Sequence, residues 1–272
     1  MFSWSYLHLP ADAGRAFRLL GLHPGPNPDP YATAALTHTN LHQAQHLLDV
    51  LARAHLMQPA SPGRYGMHDL LRAYATHLTT TEDPEEERRA ALTRLFDHYM
   101  ATAAAAMDTL HPAEQHRRPR IGPPATPTPP MTDPALARAW LDTELATLTA
   151  VCAHTATHGW PTHTTALAST LSRYLELGGH YPEAVAIHTH ALHAAHDAGD
   201  QAGEAHTLIN LGAVYWQQGH YGQAIEHDQQ ALTLAREIGH RAGEARALDN
   251  LGLIYHRSCW PGSALRARPG SR

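Results

Sequence analysis

Lysine is absent from this 272-residue chain, and all 20 of its basic residues are arginine. That excludes a phosphate-binding loop of the G-x-x-x-x-G-K-[ST] kind, whose lysine reaches the phosphates of a nucleotide. Cysteine is scarce as well. Two thiols, Cys152 and Cys259, are too few for a disulfide framework, so a reducing compartment is expected. The net charge of −5 offers no general attraction to nucleic acid or to acidic membranes. The opening residues Met1-Phe2-Ser3-Trp4 lack the basic and apolar regions of a secretory signal, and no apolar run is long enough to span a bilayer. A soluble, cytoplasmic protein that does not engage membranes is the expectation.

Histidine and proline, by contrast, are plentiful. His38, His42 and His46 stand four apart, and His190, His193 and His196 three apart. Neither set has the carboxylate or distant ligand that a metal site needs, so they read as solvated faces and no metal is expected. No catalytic nucleophile stands out. Cys152 sits among Leu148 and Val151 and reads as core, while Glu85, Glu86 and Glu87 read as a charged first helical turn. The chain is therefore not expected to be an enzyme. Proline crowds the stretch from Leu110 to Pro134, at 112, 119, 123, 124, 127, 129, 130 and 134. Each ring fixes φ and removes a donor, so a stiff, exposed linker or long loop is expected over 111–133.

The strongest signal is an internal repeat. Gly179-His180-Tyr181 recurs forty residues later as Gly219-His220-Tyr221, Gly203-Glu204-Ala205 as Gly243-Glu244-Ala245, and Asn210-Leu211-Gly212 as Asn250-Leu251-Gly252. A period of this length indicates stacked helix pairs. Leu208, Leu211, Gly212 and Tyr215 form one helical stripe, and Ala224, Ile225, Ala231, Leu232 and Ala235 a second. The order Leu-Gly-x-x-Tyr, Gly-x-Tyr-x-x-Ala, Ala-Leu resembles the tetratricopeptide repeat (TPR) over residues 164–258. A degenerate earlier unit ends at Gly178 and Gly179. The helix from Pro134, with Asp133 as its N-cap, is expected to cap the array over 134–163. Cys259 and Pro261 break the period, so 259–272 reads as an irregular tail of a truncated or frame-shifted array. The TPR resemblance implies a groove for a protein or peptide lined by Arg173, Glu176, His206, Ile209, Asn210, Ala213, Trp216, Gln217, Arg246, Asp249, Asn250 and Leu253. Asparagine can pair with a peptide backbone, and Trp216 offers a rigid apolar anchor.

Before the linker, helical patterns are expected at 11–22, 31–36, about 40–56 and about 69–78, with a hairpin between the last two. This order describes a winged-helix domain over 1–80 with a helical extension over 81–110, so the fold class is mainly α with one small hairpin. A DNA-binding reading is weak, because the stretch Asn40 to Asp49 carries almost no positive charge. The residues Leu9-Pro10, Ala16-Phe17-Arg18-Leu19-Leu20-Gly21-Leu22-His23-Pro24-Gly25 and Arg64-Tyr65-Gly66-Met67-His68-Asp69-Leu70-Leu71-Arg72 resemble one known module. It is the winged-helix segment of actinobacterial signal-transduction ATPases of the NB-ARC/STAND class, in which a P-loop module precedes it and TPR units follow. The resemblance implies that Met67-His68-Asp69 matches the family motif whose histidine contacts the phosphates of bound ADP. This chain has no P-loop of its own. His68 is therefore expected to start a helix, and to bind ADP or ATP only where a P-loop module is supplied by a longer parent protein.

Overall fold

The computed structural model describes residues 2–258, so the expected tail over 259–272, with Cys259, lies outside the described residues. It divides into two compact units, Met1–Leu171 and Ser172–Arg272. Both are mainly helical.

The first unit opens with α1 (Phe2–Leu7), α2 (Ala11–Leu20), α3 (Pro30–Thr37) and α4 (Leu41–Arg53). Asn40 closes a capping box on α4, accepting from the Gln43 amide while the Gln43 side chain reaches back. Two short antiparallel strands follow, β1 (Gln58–Ser61) and β2 (Arg64–Gly66), with a bulge between Pro59 and Ser61. Next come α5 (Asp69–Glu82) and the 26-residue α6 (Glu85–Leu110). Phe17, Leu20, Leu36, Leu48, Leu51 and Leu95 are fully enclosed and form the heart of this unit. Arginine caps helix ends here: Arg94 donates to the carbonyls of Ala35 and Leu36, and Arg15 to that of Thr37, all in the last turn of α3. Arg18 forks onto Asp83 with two bonds of 2.7 Å and tethers α2 to the end of α5.

Of the two expected forms, the proline-rich stretch takes that of a long loop. It is not a spacer, because α6 packs directly on α7 (Pro134–Thr157) across it. The stretch folds back as a 3-10 turn at Pro112–Arg117, and Arg118 and Thr109 tie it down, to Asp108 and to the Met131 carbonyl. The boundary between units falls inside α8 (Pro161–Gly178) rather than at 111–133. Proline removes donors, but it does not stop a loop from being held by side chains of its neighbours. Asp133 caps α7 as expected, accepting from Ala135 and Leu136, and Cys152 is buried, with its thiol pushed up to about 12 by burial.

The second unit continues with α9 (Tyr181–Asp197), α10 (Gln201–Gln217), α11 (Tyr221–Glu237) and α12 (Arg241–Ser258). These helices advance in steps of twenty residues. Gly179, Gly199, Gly219 and Gly239 all adopt positive φ, between 67° and 78°. At each one the following amide returns to a carbonyl five residues back, as His220 does to Tyr215, which closes the helix in a left-handed cap. Glycine is the one residue that takes this conformation without a Cβ penalty, so the spacing of the glycines sets the helix length. Alanines at 184, 191, 224, 231 and 235 are buried and let the helices approach closely.

Candidate protein-binding face

The candidate site is built on α8, α10 and α12, where residues forty apart occupy equivalent positions. On the α8 side, Glu176 accepts from Arg173 at 2.9 Å and from Gln217 of α10 at 2.9 Å, a clasp joining the two helices. Between α10 and α12, Arg246 donates to His206 Nδ1 at 3.3 Å and to Asn210 Oδ1 at 3.4 Å. Burial pushes the His206 imidazole down to about 4, so at neutral pH both acceptors are uncharged. Ala213 and Trp216 lie half-buried between the two clasps, Asp249 is exposed, and Leu253 presents 58% of its surface.

Three expected groove residues are corrected by this geometry. Ile209 is buried at 2% exposure and packs with Leu208, Ala231 and Ala247, because α10 is enclosed by α9, α11 and α12. It belongs to the core. Asn210 is itself 7% exposed and bridges to Arg246, while Asn250 donates to Asp228 at 3.0 Å. Both asparagines therefore join neighbouring helices instead of offering an amide to a peptide backbone. The surface that remains is that of Arg173, Glu176, His206, Ala213, Trp216, Gln217, Arg246, Asp249 and Leu253.

Beneath this face lies a feature the sequence reading missed. Asp228 is fully buried against α10, and its carboxyl is raised to about 6 by burial, against the lowering effect of Asn250 and Arg246. Forty residues earlier, His188 is buried at the matching position and pushed down to about 3, first by burial and then by His206. His188 and His206 in one seam thus correspond to Asp228 and Arg246 in the next. The signal was present in the sequence, as polar residues on stripes otherwise made of alanine.

His68 was expected to start a helix, and it does. It is the N-cap of α5, its Nδ1 accepting from the Leu70 amide at 3.3 Å, with Asp69 in the first turn. His68, Asp69 and Leu70 are all exposed. Met67, Asp69 and Arg72 line an open cavity of about 700 Å³ together with the loop Gly21–Asn27. In that loop His23 is completely buried, bonded to the Tyr99 hydroxyl at 2.8 Å and pushed down to about 4 by burial.

Helix pairs in register, as in the second unit, are the architecture of tetratricopeptide repeats, and the tetratricopeptide-repeat family profile matches residues 203–267. That match runs past residue 258, where the period was expected to stop. Among curated proteins, the chain is 40% identical over 165 residues to the regulatory protein AfsR of Streptomyces griseus, which is 59% of this chain and 16% of that protein. It is 37% identical over 153 residues to AfsR of Streptomyces coelicolor, 55% of this chain and 15% of the relative. The chain thus spans about a sixth of the length of these relatives. It resembles one part of these regulatory proteins. A solved STAND protein with a tetratricopeptide repeat sensor, from Pyrococcus horikoshii, aligns over 94% of this chain and 49% of its own, at 14% identity and a TM-score of 0.30, too low to argue from.

Proposed function

We propose that this chain is the protein-binding part of a STAND-type regulator of signalling or transcription and has no catalytic activity of its own. On this reading residues 1–80 are its winged-helix segment, and the TPR helices receive a protein or peptide. The observation that carries the reading is the face of α10 and α12, where Leu253 is exposed and Ala213 and Trp216 are partly open beside the two polar clasps. The similarity to AfsR supports the regulatory setting, as part of a much longer protein. The test is co-purification of a partner with the parent chain and with the double variant Ala213→Arg, Leu253→Glu. Leu253 is exposed and Ala213 is only partly buried, so helical content should be unchanged while the partner is lost. Undiminished capture by that variant would show that the partner binds elsewhere.

A second reading keeps one specific observation. His68 stands exposed beside a cavity that Met67, Asp69 and Arg72 help to line. In a longer parent that supplies a P-loop module, His68 is then a switch residue touching ADP, with NB-ARC architecture around it. Calorimetry should give no heat with ADP on this chain alone, and His68-dependent binding once a P-loop module is added. ADP binding that is indifferent to His68→Ala would remove this reading. Direct DNA binding draws no comparable support, and a low-salt mobility shift with a steep salt dependence would revive it.

A further inference from the structure

A cavity of about 510 Å³ lies where the proline-rich stretch folds back on α6, within the range of small-molecule sites (~300–1,000 Å³). Its floor is Ala104 and Asp108 of α6, and its walls include Gln115, His116, Arg118 and Arg120. Arg118 holds the place together. Its side chain is only 8% exposed, and one of its terminal nitrogens donates to Asp108 at 2.6 Å and to the His111 carbonyl at 3.2 Å. Its other two nitrogens, Nε and Nη1, are buried and have no hydrogen-bond partner among the described residues. A buried guanidinium with two idle donors is costly to maintain, and such groups ordinarily have a partner.

Asp108 does not supply the missing acceptors. One of its oxygens is engaged by Arg118 and the other accepts from Gln115 at 2.9 Å. Arg120 adds a positive charge and His116 a ring nitrogen to the lining, and both are exposed. Several donor-bearing side chains, Arg118, Arg120, His116 and Gln115, thus line one space, which suits an oxyanion with three or more acceptor atoms better than a carboxylate with two oxygens. Ala104 and Ile121 provide an apolar side. We propose that this cavity binds a small phosphate-bearing molecule whose phosphate is held by Arg118 and Arg120 and whose remaining part lies against Ile121. Binding there would fasten the 111–133 stretch to α6.

The test is titration calorimetry on the whole chain with inorganic phosphate, phenyl phosphate and benzoate. Both phosphates should bind one to one, phenyl phosphate more tightly, and benzoate at least about tenfold more weakly than phenyl phosphate. Arg120→Ser should weaken phosphate binding by about tenfold with an unchanged melting temperature, since Arg120 is exposed. Arg118→Lys keeps a cation for Asp108 but removes the fork, and should abolish binding. Arg117→Ser, also exposed but outside the cavity lining, should leave it unchanged. The proposal is overturned if neither phosphate binds, if benzoate binds as tightly as phenyl phosphate, or if Arg117→Ser weakens binding as much as Arg120→Ser.

Discussion

Gly212 and Gly252 occupy the same position of successive repeats, yet alanine at the two should have opposite effects. A Cβ on Gly212 would fall 2.8 Å from the Cγ, Oδ1 and Oδ2 atoms of Asp228. Asp228 has a short side chain, is fully buried, and is fixed by the Asn250 amide, so it has little room to yield. Relief requires α10 and α11 to part or the carboxyl to abandon Asn250. Overpacking of this kind costs ~1–3 kcal/mol, against a gain of ~1 kcal/mol from alanine in a helix interior. The clash is with a short, buried and hydrogen-bonded carboxyl that cannot swing away, so the cost lies towards the upper end and Gly212→Ala should be destabilising by up to ~2 kcal/mol. At Gly252 no described residue lies within 4 Å of the added methyl, so the helical gain alone remains and Gly252→Ala should stabilise by up to ~1 kcal/mol. Urea unfolding of the whole chain, followed by circular dichroism, measures both. Adding Asp228→Ala to Gly212→Ala should cost less than the sum of the single changes, because the second change removes the collision created by the first. A Gly212→Ala protein as stable as its parent would refute the packing argument.

Three further outcomes follow from buried charge. Removing the Arg18–Asp83 fork, as in Asp83→Ala, leaves a guanidinium that is 14% exposed with only Glu82 and the Tyr6 hydroxyl, and should cost ~1–2 kcal/mol in thermal unfolding. The unfolded form of His23 takes up a proton from about pH 6.5 downward, while the folded form stays neutral to about pH 4. Its contribution is therefore complete above pH 6.5 and falls by ~3 kcal/mol as the pH drops to 4, a slope that His23→Gln should reduce in urea titrations at several pH values. Asp228 has the opposite sign. Its folded carboxyl holds a proton up to about pH 6 and its unfolded one only to about 3.8, so acidification through that window stabilises the second unit. Asp228→Asn should flatten hydrogen-exchange protection in α11 and α12 across the same window.

The parts of the fold that were legible in the sequence rest on local rules. Asn40 and Asp133 announce helix starts because a short polar side chain can satisfy an orphan amide wherever the chain goes next. The glycines from 179 to 239 announce helix ends because positive φ is a property of the residue itself. The sequence left the proline-rich stretch open between linker and long loop, because proline forbids helix but says nothing about tertiary anchoring, and the anchor, Arg118 on Asp108, joins residues ten apart whose pairing no periodicity displays.

The candidate face was half legible, and Ile209 shows why. Helical spacing assigns Ile209 and Asp249 to the same direction on α10 and α12, but direction is not exposure. α10 is packed by α9 on one side and by α11 and α12 on the other, so its inward stripe widens to take in Ile209. At Asp249 the same position is exposed and charged. The difference in residue type between two in-register positions was therefore itself a record of burial. The same comparison separates His188 and His206 from Asp228 and Arg246. One seam carries two imidazoles that must stay neutral, whereas the other carries a carboxyl and a guanidinium of opposite charge. Residues at matching positions of two in-register repeats thus differ in charge, and each seam is matched to the polar partner it buries.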